Sequence, residues 1–310
     1  MMRLINGLPS LLFVICLISC SNEKASSSSL KGIYGTDDRK DLYDLSIDPK
    51  MLHFSRSTGV VLGLPSLVKD SAKNTYNIQT TFFNQRIYET DDGKKLPLCD
   101  TVPFRDQPDA GECSGFLVED DIFATAGHCV KDDDECLSMA VVFDYAYLAK
   151  DTEPTVDLSP NNVFFCKKLI TRSFNFIGAD YALFRLDRPT HREPLKLRAE
   201  GSVQIGDPMT VIGYPNGLPA KVAAGAIVRK NNRPEFFVVS SDTFAGNSGS
   251  AVINSSTGLV EGMIVRGDTD YVENADKTCM TLNICPEDGC NGEDVTRSTE
   301  IVTSLKKGSR

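Results

Sequence analysis

The chain has 310 residues, a hydrophobic fraction of 41% and a formal charge of -9. That length holds one large all-β unit or two small domains, and that hydrophobic fraction suffices for a packed core. The acidic balance, with no long basic run, excludes nucleic acid as a main partner.

The first twenty residues stand apart. Arg3 gives a positive start, and residues 11–18 form an apolar run. That run is far shorter than the roughly 20 residues a spanning helix needs, so it reads as a secretion signal. It ends in Leu17-Ile18-Ser19-Cys20. This resembles the bacterial lipobox, in which a cysteine after a small residue becomes the lipidated N-terminus. The expectation is a leader at 1–19 and acyl chains on Cys20, giving membrane contact through a lipid anchor only. An ordinary signal peptide with a chance cysteine is the alternative. The protein is then an exported cell-envelope lipoprotein, of the outer membrane in a Gram-negative source, or a secreted protein. Residues 20–31 read as a serine-rich tether.

The body is expected over 32–278, followed by a cysteine-rich loop and tail over 279–310. Strand-like runs at 116–118 and 122–126 flank Glu119-Asp120-Asp121 as a hairpin. Further runs fall at 140–147, 163–170, 181–186, 209–214 and 236–240. Runs at 251–254 and 259–265 enclose Ser255-Ser256-Thr257-Gly258 as another hairpin. No long segment has a 3.6-residue period and no internal repeat occurs. Many short strands predict an all-β fold of barrels or a sandwich. The acidic run 132–135 reads as a solvated loop rather than a calcium site. The tail after 294 is a short helix or disordered.

Ten cysteines are present, and Cys16 and Cys20 fall in the leader region. The eight others, an even number in an exported chain, favour disulfides over redox or metal chemistry. With only three histidines, no zinc site is expected, and no metal or cofactor is assigned.

Three segments carry chemistry. Thr125-Ala126-Gly127-His128-Cys129 feeds a strand into a tight turn that presents an imidazole. Gly246-Asn247-Ser248-Gly249-Ser250 surrounds a hydroxyl with glycines, which let backbone amides converge on one point. A serine hydroxyl is a poor nucleophile until a base takes its proton. Asp180-Tyr181-Ala182-Leu183-Phe184-Arg185-Leu186 places an acid before an alternating strand. Asp144 and Asp157 open no such strand. Taken singly, the serine segment reads equally as a turn, and Asp180 as a strand-start residue.

Together, in the order His, Asp, Ser, these segments resemble the trypsin/chymotrypsin serine protease superfamily, a different order from subtilisin or the α/β-hydrolases. The resemblance covers roughly residues 32–267. It implies two antiparallel six-stranded β-barrels with a boundary near 171–180, and a triad of His128, Asp180 and Ser248. It also implies oxyanion amides from Gly246 and Ser248, and a disulfide between Cys113 and Cys129. The other six cysteines are left open, with Cys136 and Cys166 expected to bridge neighbouring strands of one barrel. The implied activity is peptide hydrolysis on protein or peptide substrates. Oligomeric state is not legible.

The subfamily is most similar to the bacterial glutamyl-endopeptidase-like branch, on Ile33-Tyr34-Gly35-Thr36-Asp37-Asp38-Arg39 and residues 246–250. Asn247 stands where trypsin has the aspartate that pairs with a newly cut N-terminus. Ile87 after Arg86 falls near a trypsinogen-like cleavage position, but Tyr88-Glu89-Thr90 lacks the Val-Gly-Gly pattern. With Asn247 present, that spacing reads as coincidence.

Asp242, six residues before Ser248, matches the offset of the trypsin pocket aspartate. With Thr243 and the wall segment Val265, Arg266 and Gly267, it predicts cleavage after Arg or Lys. Phe244 replaces a family cysteine, and Arg266 is a candidate to neutralise Asp242. Glutamate or another narrow specificity is the alternative, although no histidine occurs in the wall segment. A different class, a lipoprotein using a protease fold for binding or adhesion, is disfavoured because all three triad residues remain.

Overall fold

The computed structural model describes residues 32–308 except 268, 287 and 288. The expected leader, Cys20 and the whole of the serine-rich tether lie outside the described residues. Among the described residues, no helix is long and apolar enough to cross a membrane.

The first barrel is built from β1 (Thr58–Gly63), β2 (Cys113–Glu119), β3 (Ile122–Thr125), β4 (Met139–Phe143), β5 (Val163–Phe174) and β6 (Asp180–Leu186). It closes in the order β2-β3-β6-β5-β4-β1, and every pairing is antiparallel. Phe123, Phe143, Phe164 and Phe184 meet at its centre, with ring centroids 5.4–5.8 Å apart. That is the edge and tilted packing that aromatic quadrupoles favour. The barrel interior therefore contains large rings from four different strands, which fixes their register.

The second barrel comprises β7 (Pro208–Gly213), β8 (Lys221–Lys230), β9 (Phe236–Val239), β10 (Ala251–Asn254), β11 (Val260–Arg266) and β12 (Glu293–Arg297). Its order β7-β10-β11-β12-β9-β8 closes through the β7–β8 pairing. Arg39–Asp41 adds to the outside of β8. Here a buried ion pair joins strand to barrel: Lys221 Nζ lies 2.7 Å from Asp41 Oδ1, and both side chains are almost fully covered. Burial pushes the Lys221 ammonium down to about 8, against the pull of Asp41.

Two expected boundaries move. β6 pairs with both β3 and β5, so Asp180 opens the last strand of the first barrel and the crossing chain is 187–207 rather than 171–180. Residues beyond 278 supply β12 as a full barrel strand, and α3 (Ser298–Gly308) packs against β5, β11 and β12. β12 reads Glu-Asp-Val-Thr-Arg, too polar and short to register as a strand from sequence. β1 and β8 were likewise not foreseen.

Two short helices complete the frame. In α1 (Pro49–Ser55) the Asp48 side chain caps the Lys50 amide, and Pro49 sits in the first turn. The acidic run forms the start of α2 (Asp133–Leu137), where Asp132 accepts from the Glu135 amide at 2.9 Å. Carboxylates there face the positive end of the helix, so the run is a helix start rather than a loop.

Among the described residues the disulfides are Cys99–Cys279, Cys113–Cys129, Cys136–Cys166 and Cys285–Cys290. Cys136 lies in α2, so its bridge to Cys166 joins helix to strand, not two strands. Four disulfides fit an extracellular, oxidising setting.

Candidate active site

The site forms where the β3 end and the β5–β6 hairpin of the first barrel face the loop before β10 of the second. His128 sits in the turn Gly127–Cys129 directly after β3. A Cβ at Gly127 would lie 2.1 Å from the Ser173 carbonyl and 2.9 Å from Asp180 Oδ1, so only glycine lets this turn close over the acid. Cys129 is tied to Cys113 in β2, which fixes the far side of the turn. The two sulfurs beside His128 are bonded to each other and offer no thiolate to a metal.

Asp180 is fully buried. Its Oδ2 lies 2.7 Å from His128 Nδ1, and its Oδ1 accepts from the His128 amide at 3.1 Å. The Asp180 amide donates to Thr296 Oγ1 at 3.1 Å, which anchors the acid to β12 of the other barrel. On the opposite side of the ring, His128 Nε2 lies 2.8 Å from Ser248 Oγ. A carboxylate at Nδ1 favours the tautomer with its proton there, leaving the Nε2 lone pair facing the hydroxyl. This is the geometry of an oriented base beside a nucleophile.

The loop carrying Ser248 is shaped by Gly246, whose φ is 90°. A Cβ there would meet the Tyr214 carbonyl at 2.7 Å and the Asn216 amide at 2.9 Å. Ser114 of β2 holds the loop from the first barrel. Its amide donates to the Ser248 carbonyl at 2.8 Å, and its hydroxyl donates to the Gly246 carbonyl at 2.7 Å. Among the described residues neither the Gly246 nor the Ser248 amide has an acceptor, the arrangement an oxyanion site requires.

Around these groups runs a cleft of about 1020 Å³ lined from both barrels. Val265, Arg266 and Gly267 line it, as do Gly246 and Ser248. Its rim carries Phe174, Phe176 and Ile177 from the β5–β6 hairpin; Phe176 is 78% exposed and Ile177 68%. Phe174 pairs with Asp180, so this apolar tip is placed by the same register that places the acid.

The expected pocket floor is a correction. Asp242 and Thr243 are buried and do not line the cleft. Asp242 Oδ1 accepts from the Tyr34 amide at 2.7 Å and Oδ2 from the Asp38 amide at 2.8 Å. A sequence offset fixes distance along the chain but not what covers the carboxylate, and here residues 34–38 cover it. Nor does Arg266 neutralise Asp242. Its Nε pairs with Asp294 at 3.0 Å, and its Nη2 donates to the Gly178 carbonyl at 2.9 Å. Burial, opposed by the two amide hydrogen bonds, raises the Asp242 carboxyl. Burial, reinforced by the neighbouring Asp242 charge, pushes Asp38 up to about 8.

Sequence reasoning missed Ser114, Thr296 and the hairpin tip. Phe176-Ile177 just ahead of Asp180 was a readable signal, an apolar pair in a connection. Nothing local marks Ser114 or Thr296, whose roles depend on contacts between barrels.

Residues 113–263 match the family model described as a trypsin-like peptidase domain. The chain therefore carries a trypsin-like peptidase domain over these residues, the domain of a serine endopeptidase. Among solved structures it is similar to the inactive form of Rv3671c from M. tuberculosis H37Rv, at 14% identity and TM-score 0.47, covering 90% of this chain and 97% of that one. A Glu endopeptidase in complex with MPD is similar at 15% identity and TM-score 0.48, covering 89% and 99%. The VesB protease of Vibrio cholerae is similar at 11% identity and TM-score 0.49, covering 82% and 64%. No curated protein matches the chain.

Proposed function

We propose that the chain is an exported endopeptidase in which Ser248 is the nucleophile, His128 the general base and Asp180 the residue that orients the imidazole. The observation that carries this reading is the continuous line from Asp180 through His128 to Ser248, at 2.7 and 2.8 Å. Ser248 Oγ attacks the peptide carbonyl as Nε2 takes its proton. The imidazolium then gives that proton to the leaving amine, and water reverses the sequence to release the acyl group. Asp180 stabilises the imidazolium without itself taking the proton. The Gly246 and Ser248 amides receive the oxyanion, each such donor supplying about 3 kcal/mol toward the transition state.

The substrates are extended protein segments, with apolar side chains resting on Phe174, Phe176 and Ile177. With the Asp242 carboxylate committed to the Tyr34 and Asp38 amides, a preference for Arg or Lys through that residue is not part of this reading. Cys20 is the proposed lipid anchor, leaving the barrels outside the bilayer; Cys20→Ala then moves the protein from the membrane to the soluble fraction.

Cleavage of a peptide library by the purified mature protein tests the substrate reading. Apolar residues should be enriched on the N-terminal side of the scissile bond. Phe176→Ala should lower kcat/KM on those peptides by about tenfold, the worth of part of one buried apolar side chain. A profile indifferent to apolar residues and unchanged in Phe176→Ala would contradict it.

A further inference from the structure

The loop at 242–248 contains Gly246 in a left-handed conformation, a position with little intrinsic preference for one shape. Its oxyanion amides converge only if the loop is held from outside. From the first barrel, Ser114 does so. From the other side the loop meets the segment 33–41, the first described stretch of the chain.

Three contacts link that segment to the loop. Tyr34 and Asp38 donate their amides to Asp242, at the loop's start. Arg39 lays its guanidinium 4.1 Å from the ring centroid of Phe244, two residues before Gly246. Phe244 is itself buried, and its carbonyl accepts from the Asn247 amide at 3.0 Å, which ties the residue under Arg39 to the turn that presents Ser248. The Arg39 head group is fixed in turn. Its Nε and Nη2 donate to the two carboxylate oxygens of Asp37 at 2.9 and 2.7 Å, and Phe104 lies on it at 5.3 Å.

Asn247, by contrast, looks inward. Its Oδ1 accepts from Ser250 Oγ at 2.9 Å, a contact within the loop. The side chain before the nucleophile therefore does not tie the loop to the beginning of the domain, and the stacked guanidinium two residues earlier does. A planar cation clamped in plane by a carboxylate and pressed on an aromatic face is a rigid link.

We infer that Arg39 is a positioning residue for the oxyanion loop: clamped by Asp37 and stacked on Phe244, it holds the Gly246 and Ser248 amides in register for catalysis without touching substrate. This inference rests on the peptidase reading above.

The test compares the unaltered mature protein with Arg39→Ala and Arg39→Lys. For each, kcat and KM on one peptide substrate, the rate of fluorophosphonate labelling of Ser248, and the thermal midpoint are measured. In Arg39→Ala, kcat and the labelling rate should fall on the order of 100-fold, the scale of a misplaced reacting geometry, with KM within about twofold. Arg39→Lys, which keeps the charge but not the planar stack, should recover part of kcat. A purely structural role would lower the midpoint and leave kcat of the folded protein at its original value. That result in either folded variant overturns the inference; if Arg39→Ala does not fold, Arg39→Lys decides it. An unaltered protein that neither hydrolyses peptides nor takes the label overturns the peptidase reading itself, a distinguishable failure.

Discussion

Ser114 Oγ donates to the Gly246 carbonyl at 2.7 Å, so a side chain of the first barrel holds the loop of the second that carries Ser248. The same hydroxyl accepts from the Tyr214 amide at 3.0 Å. Ser114→Ala leaves both backbone groups short of a partner in a buried place. The expected cost is about 1–3 kcal/mol in unfolding free energy, with a fall in kcat that exceeds any rise in KM. Chemical denaturation and steady-state kinetics on one preparation check both. An unchanged kcat would show that the bond serves stability alone.

Asp180→Asn keeps the size and burial of the side chain but presents a donor to the imidazole. The ring then turns its proton toward Ser248 and cannot act as base. Turnover should drop by roughly 10⁴, while the thermal midpoint moves little. A loss of less than about tenfold would remove Asp180 from the mechanism.

The Asp38–Asp242 pair makes stability pH-dependent. Asp38 titrates at about 8 in the folded protein, through burial first and the Asp242 charge second, with Asp37 adding to the shift and Arg39 opposing it. An unfolded aspartate titrates near ~3.9. Between those values the folded state holds a proton that the unfolded chain has released, so this contribution to stability is lost as pH rises from about 4 to 8. Asp38→Asn should flatten the dependence and raise the denaturation midpoint at pH 8 more than at pH 5. Equal shifts at both pH values would contradict the assignment.

Lys221 and Asp41 form a buried pair between β8 and the strand at its edge. Lys221→Met strands the Asp41 carboxylate, with Gln107 Nε2 still donating to it at 2.9 Å. The expected loss is about 3–5 kcal/mol. Replacing both members with apolar residues should cost much less, because no uncompensated charge remains. Unfolding free energies of the two singles and the double variant measure this directly.

How much was legible follows from where each signal resides. His128, Asp180 and Ser248 each sit in a local motif that needs a particular turn or strand start, and such motifs survive as sequence. The strands 251–254 and 181–186 show as compact runs of apolar residues for the same reason. β12 does not, because Glu-Asp-Val-Thr-Arg acquires its strand character only from β9 and β11 on either side. Asp242 misled because its distance from Ser248 says nothing of Tyr34 and Asp38, more than two hundred residues away in the chain and in contact with it. Arg39 and Phe244 are separated in the same way, so their stack had no sequence signature.

Attack by Ser248 is tested most directly on a protein substrate. Hydrolysis of a denatured protein substrate should be followed for the unaltered chain and for Ser248→Ala, with fluorophosphonate labelling located by peptide mass. One label is expected, on Ser248, with loss of both label and hydrolysis in Ser248→Ala while the fold and disulfides stay intact. Undiminished hydrolysis by the folded Ser248→Ala protein, or a label on another residue, would contradict it.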